Sequence, residues 1–141
     1  MRTDEFRVVE VDGGGLAVRD VVDVARGDAG ARLADGVDDR MEGSRRVVVD
    51  AVERGAVMYG ITTGFGALAD THIGRTDIER LQVSLLRSHA AGVGEPLPDD
   101  VVRGLLLLRA RTLAAGFSGV RVELPRRLLH LLDRGLLPVV P

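Results

Sequence analysis

The chain has 141 residues, of which 45% are hydrophobic and only 3% aromatic, and a formal charge of −2. That length suits one domain, and apolar content carried by Leu, Val and Ala favours helices packed on helices. The acidic balance and scattered arginines exclude a nucleic-acid partner held by a basic surface. The lack of cysteine excludes disulfides, thiolate metal sites and a cysteine nucleophile.

No apolar run reaches the roughly 18 residues of a membrane span; the longest candidate, Val101 to Leu108, is broken by Arg103 and Gly104. Arg2 to Glu10 is charged, unlike a signal peptide. A cytoplasmic protein with no membrane partner is the expectation.

Phe6 to Val11 reads as a short strand, followed by a turn at Asp12-Gly13-Gly14-Gly15. Leu16 to Arg26 shifts toward a short helix, and Gly27 to Gly36 reads as a polar, Gly- and Ala-rich connection. A helix is predicted from about Val37 to Arg54, stopping at Gly55, with Met41, Val48, Val49 and Val52 on one face. Thr76-Asp77-Ile78-Glu79 has the form of a capping box. Ile78, Leu81, Leu85 and His89 follow on one helical stripe, and Gly92, Gly94, Pro96 and Pro98 end that helix.

A further helix from about Asp99 to Ala115 has apolar residues wrapped around it at Leu105 to Leu108. It should therefore be buried on most sides, with Gly116 as its cap. The last helix spans about Val122 to Arg134, with Gly135 as cap and Pro138 just beyond. The fold class is mainly α, with a small strand region near the start.

Between the second and third helices lies Tyr59-Gly60-Ile61-Thr62-Thr63-Gly64-Phe65-Gly66, holding the only tyrosine of the chain. Glycines let backbone approach a neighbour and tolerate positive φ, while threonines stiffen χ1. The segment reads as a shaped loop presenting Tyr59. It matches neither phosphate-binding glycine pattern. With three scattered histidines and no spaced carboxylates, a metal site is not expected.

This octapeptide resembles the Tyr-Gly-(Val/Ile)-(Asn/Thr)-Thr-Gly-Phe-Gly signature of the aromatic amino acid ammonia-lyases, which include the histidine, phenylalanine and tyrosine enzymes. Two later stretches resemble the family in the same order: Leu81 to Pro98 (LQVSLLRSHAAGVGEPLP) and Val102 to Pro141. The resemblance runs from about Val8 to the last residue. It implies the N-terminal portion of a longer, fumarase/aspartase-like helical subunit. Residues 1–141 would then be one incomplete domain: strand, short helix and loop over 1–36, and helices over 37–141, with the tyrosine loop at 59–66.

The resemblance also implies roles. Tyr59 takes the position of the family's proton-transfer tyrosine. A phenol is almost wholly protonated at neutral pH, so a phenolate base there needs positive potential or hydrogen-bond donors. His89 takes a selectivity position, where imidazole can bond a polar substrate tip; histidine or tyrosine is the substrate it favours. Phe65 and Gly66 would contact substrate beside the turn. Thr62 stands where histidine enzymes often have Asn and phenylalanine enzymes Thr, a mild conflict with His89. Arg111 replaces a frequent family Asn. Gly119-Val120-Arg121 is read as structural, and His72 and His130 have no evident partner.

In the resembling enzymes the electrophile is 4-methylidene-imidazol-5-one, formed from an internal Ala-Ser-Gly. That triplet is absent from the 141 residues, where the nearest look-alike is Phe117-Ser118-Gly119. The expectation is a chain without its own cofactor and inactive alone: a fragment or half of a split enzyme, served by a complementing chain or a homo-oligomer. The intact family eliminates ammonia from an aromatic L-amino acid to give an α,β-unsaturated acid, and an aminomutase is a close variant. The alternative is a non-catalytic helical module whose apolar faces bind a partner or self-associate.

Overall fold

The computed structural model describes residues 6–66, 73–74 and 77–141. Two strands and five helices follow in order: β1 (Arg7–Val11), α1 (Val18–Arg26), β2 (Ala29–Leu33), α2 (Val37–Glu53), α3 (Ile78–His89), α4 (Asp99–Ala114) and α5 (Glu123–Asp133). The chain divides into two compact units. One combines the residues up to Arg45 with Glu95–Pro141, and the other is Arg46–Gly94.

In the first unit β1 and β2 pair in parallel, with Arg7 opposite Ala29 and Val11 opposite Leu33. Parallel neighbours need a crossover, and α1 supplies it. Arg7 ties the crossover down through ion pairs to Asp20 and Asp23. Gly27, at φ +83°, ends α1 in the left-handed conformation, with its N–H on Val24 and that of Asp28 on Asp23.

β2 corrects the expected polar connection from Gly27 to Gly36. Ala29-Gly30-Ala31-Arg32-Leu33 has little intrinsic strand preference. The parallel ladder to β1 and the burial of Ala29 hold it extended.

The core of this unit joins Val9 and Val11 of β1, Val24, Ala29, Val37 and Met41 to Leu106, Leu107, Ala110 and Ala114 of α4 and Leu129 and Leu132 of α5. Helix α4 is central, but its burial is one-sided: Leu106 and Leu107 are buried while Leu105 and Leu108 are 47% and 44% exposed. The expectation of burial on most sides is corrected accordingly. Val101, Leu105 and Leu108 share a stripe by their 4 and 3 spacing, and it is left partly exposed among the described residues.

Gly13, at φ +85°, lies so close to α4 that a Cβ there would sit 2.5 Å from Ala115 backbone. Arg40 donates to the carbonyls of Ala114 and Asp12 at this crossing. Arg111, the departure from the family Asn, donates to Gly14 O. Gly119 donates to Ser44 Oγ at 3.0 Å and its carbonyl accepts from Arg45 at 3.2 Å. That agrees with a structural role ahead of α5.

In the second unit α2 ends where Gly55 (φ +63°) donates to Val52 O and Ala56 to Ala51 O. The tyrosine loop and α3 follow. Helix α3 buries no residue fully; Ile78, Leu81 and Leu85 are half-buried, as the stripe predicts. Thr76 of the expected capping box, and His72, lie outside the described residues.

Candidate active site

The tyrosine loop is built on two consecutive threonines whose side chains turn inward. Thr62 is 1% and Thr63 0% exposed. A buried hydroxyl must find partners, and both find them in the loop backbone. Thr62 Oγ1 accepts the Met58 N–H at 2.8 Å and donates to the Ala56 carbonyl at 2.5 Å. Thr63 Oγ1 accepts the Gly60 N–H at 3.2 Å and donates to the Gly64 carbonyl at 3.1 Å. The Met58 carbonyl receives the N–H groups of Ile61 and Thr62, and the Thr62 carbonyl receives that of Ile73.

Tyr59 sits between the two clamped amides. Its side chain is not the buried ring of an ordinary loop tyrosine, since the residue is 67% exposed. Phe65 meets it edge to face, with ring centroids 6.0 Å apart and planes at 72°. Such pairs are worth roughly 0.5–1.5 kcal/mol beyond burial. Gly60 has φ +71°, and a Cβ on it would lie 3.0 Å from Phe65 Cε1. This position therefore needs glycine for its backbone and for the close ring. Gly66 is also left-handed, at φ +56°. Tyr59, Phe65 and Gly66 thus share one loop.

His89 is the last residue of α3 and is exposed. Its Nδ1 lies 2.9 Å from Leu85 O and 3.0 Å from Ser88 Oγ. A carbonyl can only accept, so Nδ1 is the donor to Leu85 O, and Nε2 has no partner of its own in these bonds. The contacts that hold the imidazole come from its own helix turn. No hydrogen bond joins it to the tyrosine loop among the described residues.

A cleft of about 600 Å³ in the first unit is lined by residues that include Arg32, Asp35, Asp38, Arg126, His130 and Asp133 and holds none of the expected site residues. Among the described residues no cluster of three His, Asp or Glu could hold a metal, and no helix is long and apolar enough to cross a membrane.

Sequence reasoning found the presented tyrosine and missed the clamp. The signal was present: two threonines followed by glycine, one and two residues after Gly60-Ile61, are able to return hydroxyl bonds to nearby backbone.

The chain is 45% identical over 136 residues to histidine ammonia-lyase from Caldanaerobacter subterraneus subsp. tengcongensis, covering 96% of this chain and 27% of that protein. The crystal structure of histidine ammonia-lyase from Trypanosoma cruzi superposes with a TM-score of 0.85 at 34% identity, over 96% of this chain and 26% of that one. Tyrosine aminomutase from Streptomyces globisporus superposes with a TM-score of 0.89 at 34% identity, over 94% and 25%. The chain thus spans about a quarter of the length of these relatives. The aromatic amino acid lyase profile matches residues 16–141, through both units and the whole tyrosine loop, and the chain belongs to that family.

Proposed function

We propose that this chain supplies the tyrosine arm of an active site that eliminates ammonia from an aromatic L-amino acid, with histidine the favoured substrate. The observation that carries the reading is Tyr59, an exposed phenol on a loop whose backbone is fixed on both sides. Tyr59 would accept the substrate proton as general base, a role worth on the order of 10²- to 10⁴-fold. Phe65 and Gly66 would shape the substrate's approach to it, and His89 would offer Nε2 to a polar side-chain tip. The relatives named histidine ammonia-lyases support histidine over tyrosine.

The 4-methylidene-imidazol-5-one electrophile has no source among these residues, since no Ala-Ser-Gly occurs in the chain. A base alone does not expel the amine, so these 141 residues by themselves are expected to be inactive.

The test joins the full chain to the remaining three quarters of the 45%-identical histidine ammonia-lyase and follows unsaturated acid by ultraviolet absorbance. Turnover of histidine and its loss in Tyr59→Phe, on the order of 10²-fold or more, are expected. Undiminished turnover by Tyr59→Phe would remove Tyr59 from the chemistry, and faster turnover of tyrosine would overturn the substrate.

A further inference from the structure

We propose that Thr62 and Thr63 are positioning residues for Tyr59, and that Thr62 acts on the reaction through the loop rather than by touching substrate. The inference rests on the reading of Tyr59 as base and concerns what holds that base in place.

A threonine hydroxyl has a single proton to donate. In Thr62 it goes to the Ala56 carbonyl, while a lone pair takes the Met58 N–H. With the residue 1% exposed, the hydroxyl is spent inside the loop. Thr63 repeats the arrangement one residue on, accepting the Gly60 N–H. The amides received are those of the residues immediately before and after Tyr59.

Packing does not do this work. Tyr59 is two-thirds exposed, and among the described residues its aromatic neighbour is Phe65, at a steep interplanar angle. The position of the phenol is therefore set by backbone, and the backbone by two hydroxyls. Loss of either hydroxyl frees the peptide units that aim the phenol, and a misplacement near 1 Å can cost on the order of 10²-fold in rate.

The chain has one tyrosine and no tryptophan, so its intrinsic fluorescence reports Tyr59 alone. Time-resolved anisotropy on the full chain should show faster local depolarisation in Thr62→Val and Thr63→Val and recovery in Thr62→Ser, which keeps the hydroxyl. In the joined enzyme Thr62→Val should lower kcat on the order of 10²-fold with KM little changed, because the base is misplaced while binding is kept. Thr62→Ser should restore kcat.

Unchanged anisotropy in both valine variants overturns the clamp. A raised KM with kcat kept overturns the positioning role and makes Thr62 a substrate contact. If Thr62→Val loses its cooperative melt, Thr63→Val must loosen Tyr59 by itself, and its failure to do so overturns the proposal. Full activity of Tyr59→Phe sinks the parent reading whatever the anisotropy shows, so the two failures are separable.

Discussion

Around Leu107 the chain is held by apolar packing, with arginines reaching backbone carbonyls; around Tyr59 it is held by threonine hydroxyls, with little apolar cover. Leu107 and Ala110 are fully buried among β1, α1 and α5. Arg103 seals the ends of two helices at once, donating to Val24 O at 3.1 Å and Leu132 O at 3.2 Å. Among the described residues of the other unit the fully buried polar side chains are Thr62 and Thr63, and α3 has no fully buried residue. The first region buries its apolar side chains, and the second leaves Tyr59 exposed on a hydroxyl-held loop. That division is common where a rigid scaffold carries a functional loop.

The sharpest way to break this contrast is to remove mass from each region. Leu107→Ala should cost about 2–5 kcal/mol, since its cavity lies where helices and strands converge. Denaturant unfolding followed by circular dichroism measures it. Tyr59→Phe should leave the same midpoint nearly unchanged, because the hydroxyl sits on an exposed residue. Equal losses would mean that the loop is part of the core. Amide exchange should agree, with α4 amides slowest and α3 amides among the fastest helical ones.

Arg103→Ala comes next, at about 1.5–3 kcal/mol, the range for hydrogen bonds from a charged donor. It strips the charged donor from the Val24 and Leu132 carbonyls at the ends of α1 and α5, leaving each with one backbone N–H, that of Gly27 or Gly135. A neutral result would mean that water replaces the guanidinium there.

Much of the scaffold was legible because helices announce their ends. Gly55, Gly116 and Gly135 all take positive φ where the sequence placed caps, and the boundaries of α2, α4 and α5 fall within two residues of expectation. Strand β2 was not legible, since its preference comes from a partner 22 residues away in the chain. The one-sided burial of α4 was hidden too: four consecutive leucines say that a helix is apolar all round, not which side this chain covers. At the site, the motif pointed to Tyr59, Phe65 and Gly66. Where the threonine hydroxyls go depends on the turn at Met58 that brings them back, and composition carries no trace of that turn.

Gly60→Ala tests the loop's geometry from the other side. The left-handed φ costs about 1–2 kcal/mol for a residue with a Cβ, and that Cβ would press on Phe65 at 3.0 Å. Tyr59 fluorescence should change together with stability, because Phe65 is in T-shaped contact with its ring. A stability loss with an unaltered Tyr59 signal would detach the glycine from the tyrosine's placement.

The smallest effect belongs to Arg126→Ala. Arg126 pairs with Asp38, but the side chains are 55% and 50% exposed. In water-like surroundings the Coulomb gain is offset by ordering two side chains and is screened by salt, leaving about 0.2–1 kcal/mol. Raising ionic strength should erase even that, whereas the Arg103 loss should persist in salt because its partners are helix-end carbonyls and its setting is partly buried. If Arg126→Ala instead matched Arg103→Ala and resisted salt, the scaffold would owe its stability to surface charge. The contrast with the hydroxyl-held loop would then lie in polarity alone, not in packing.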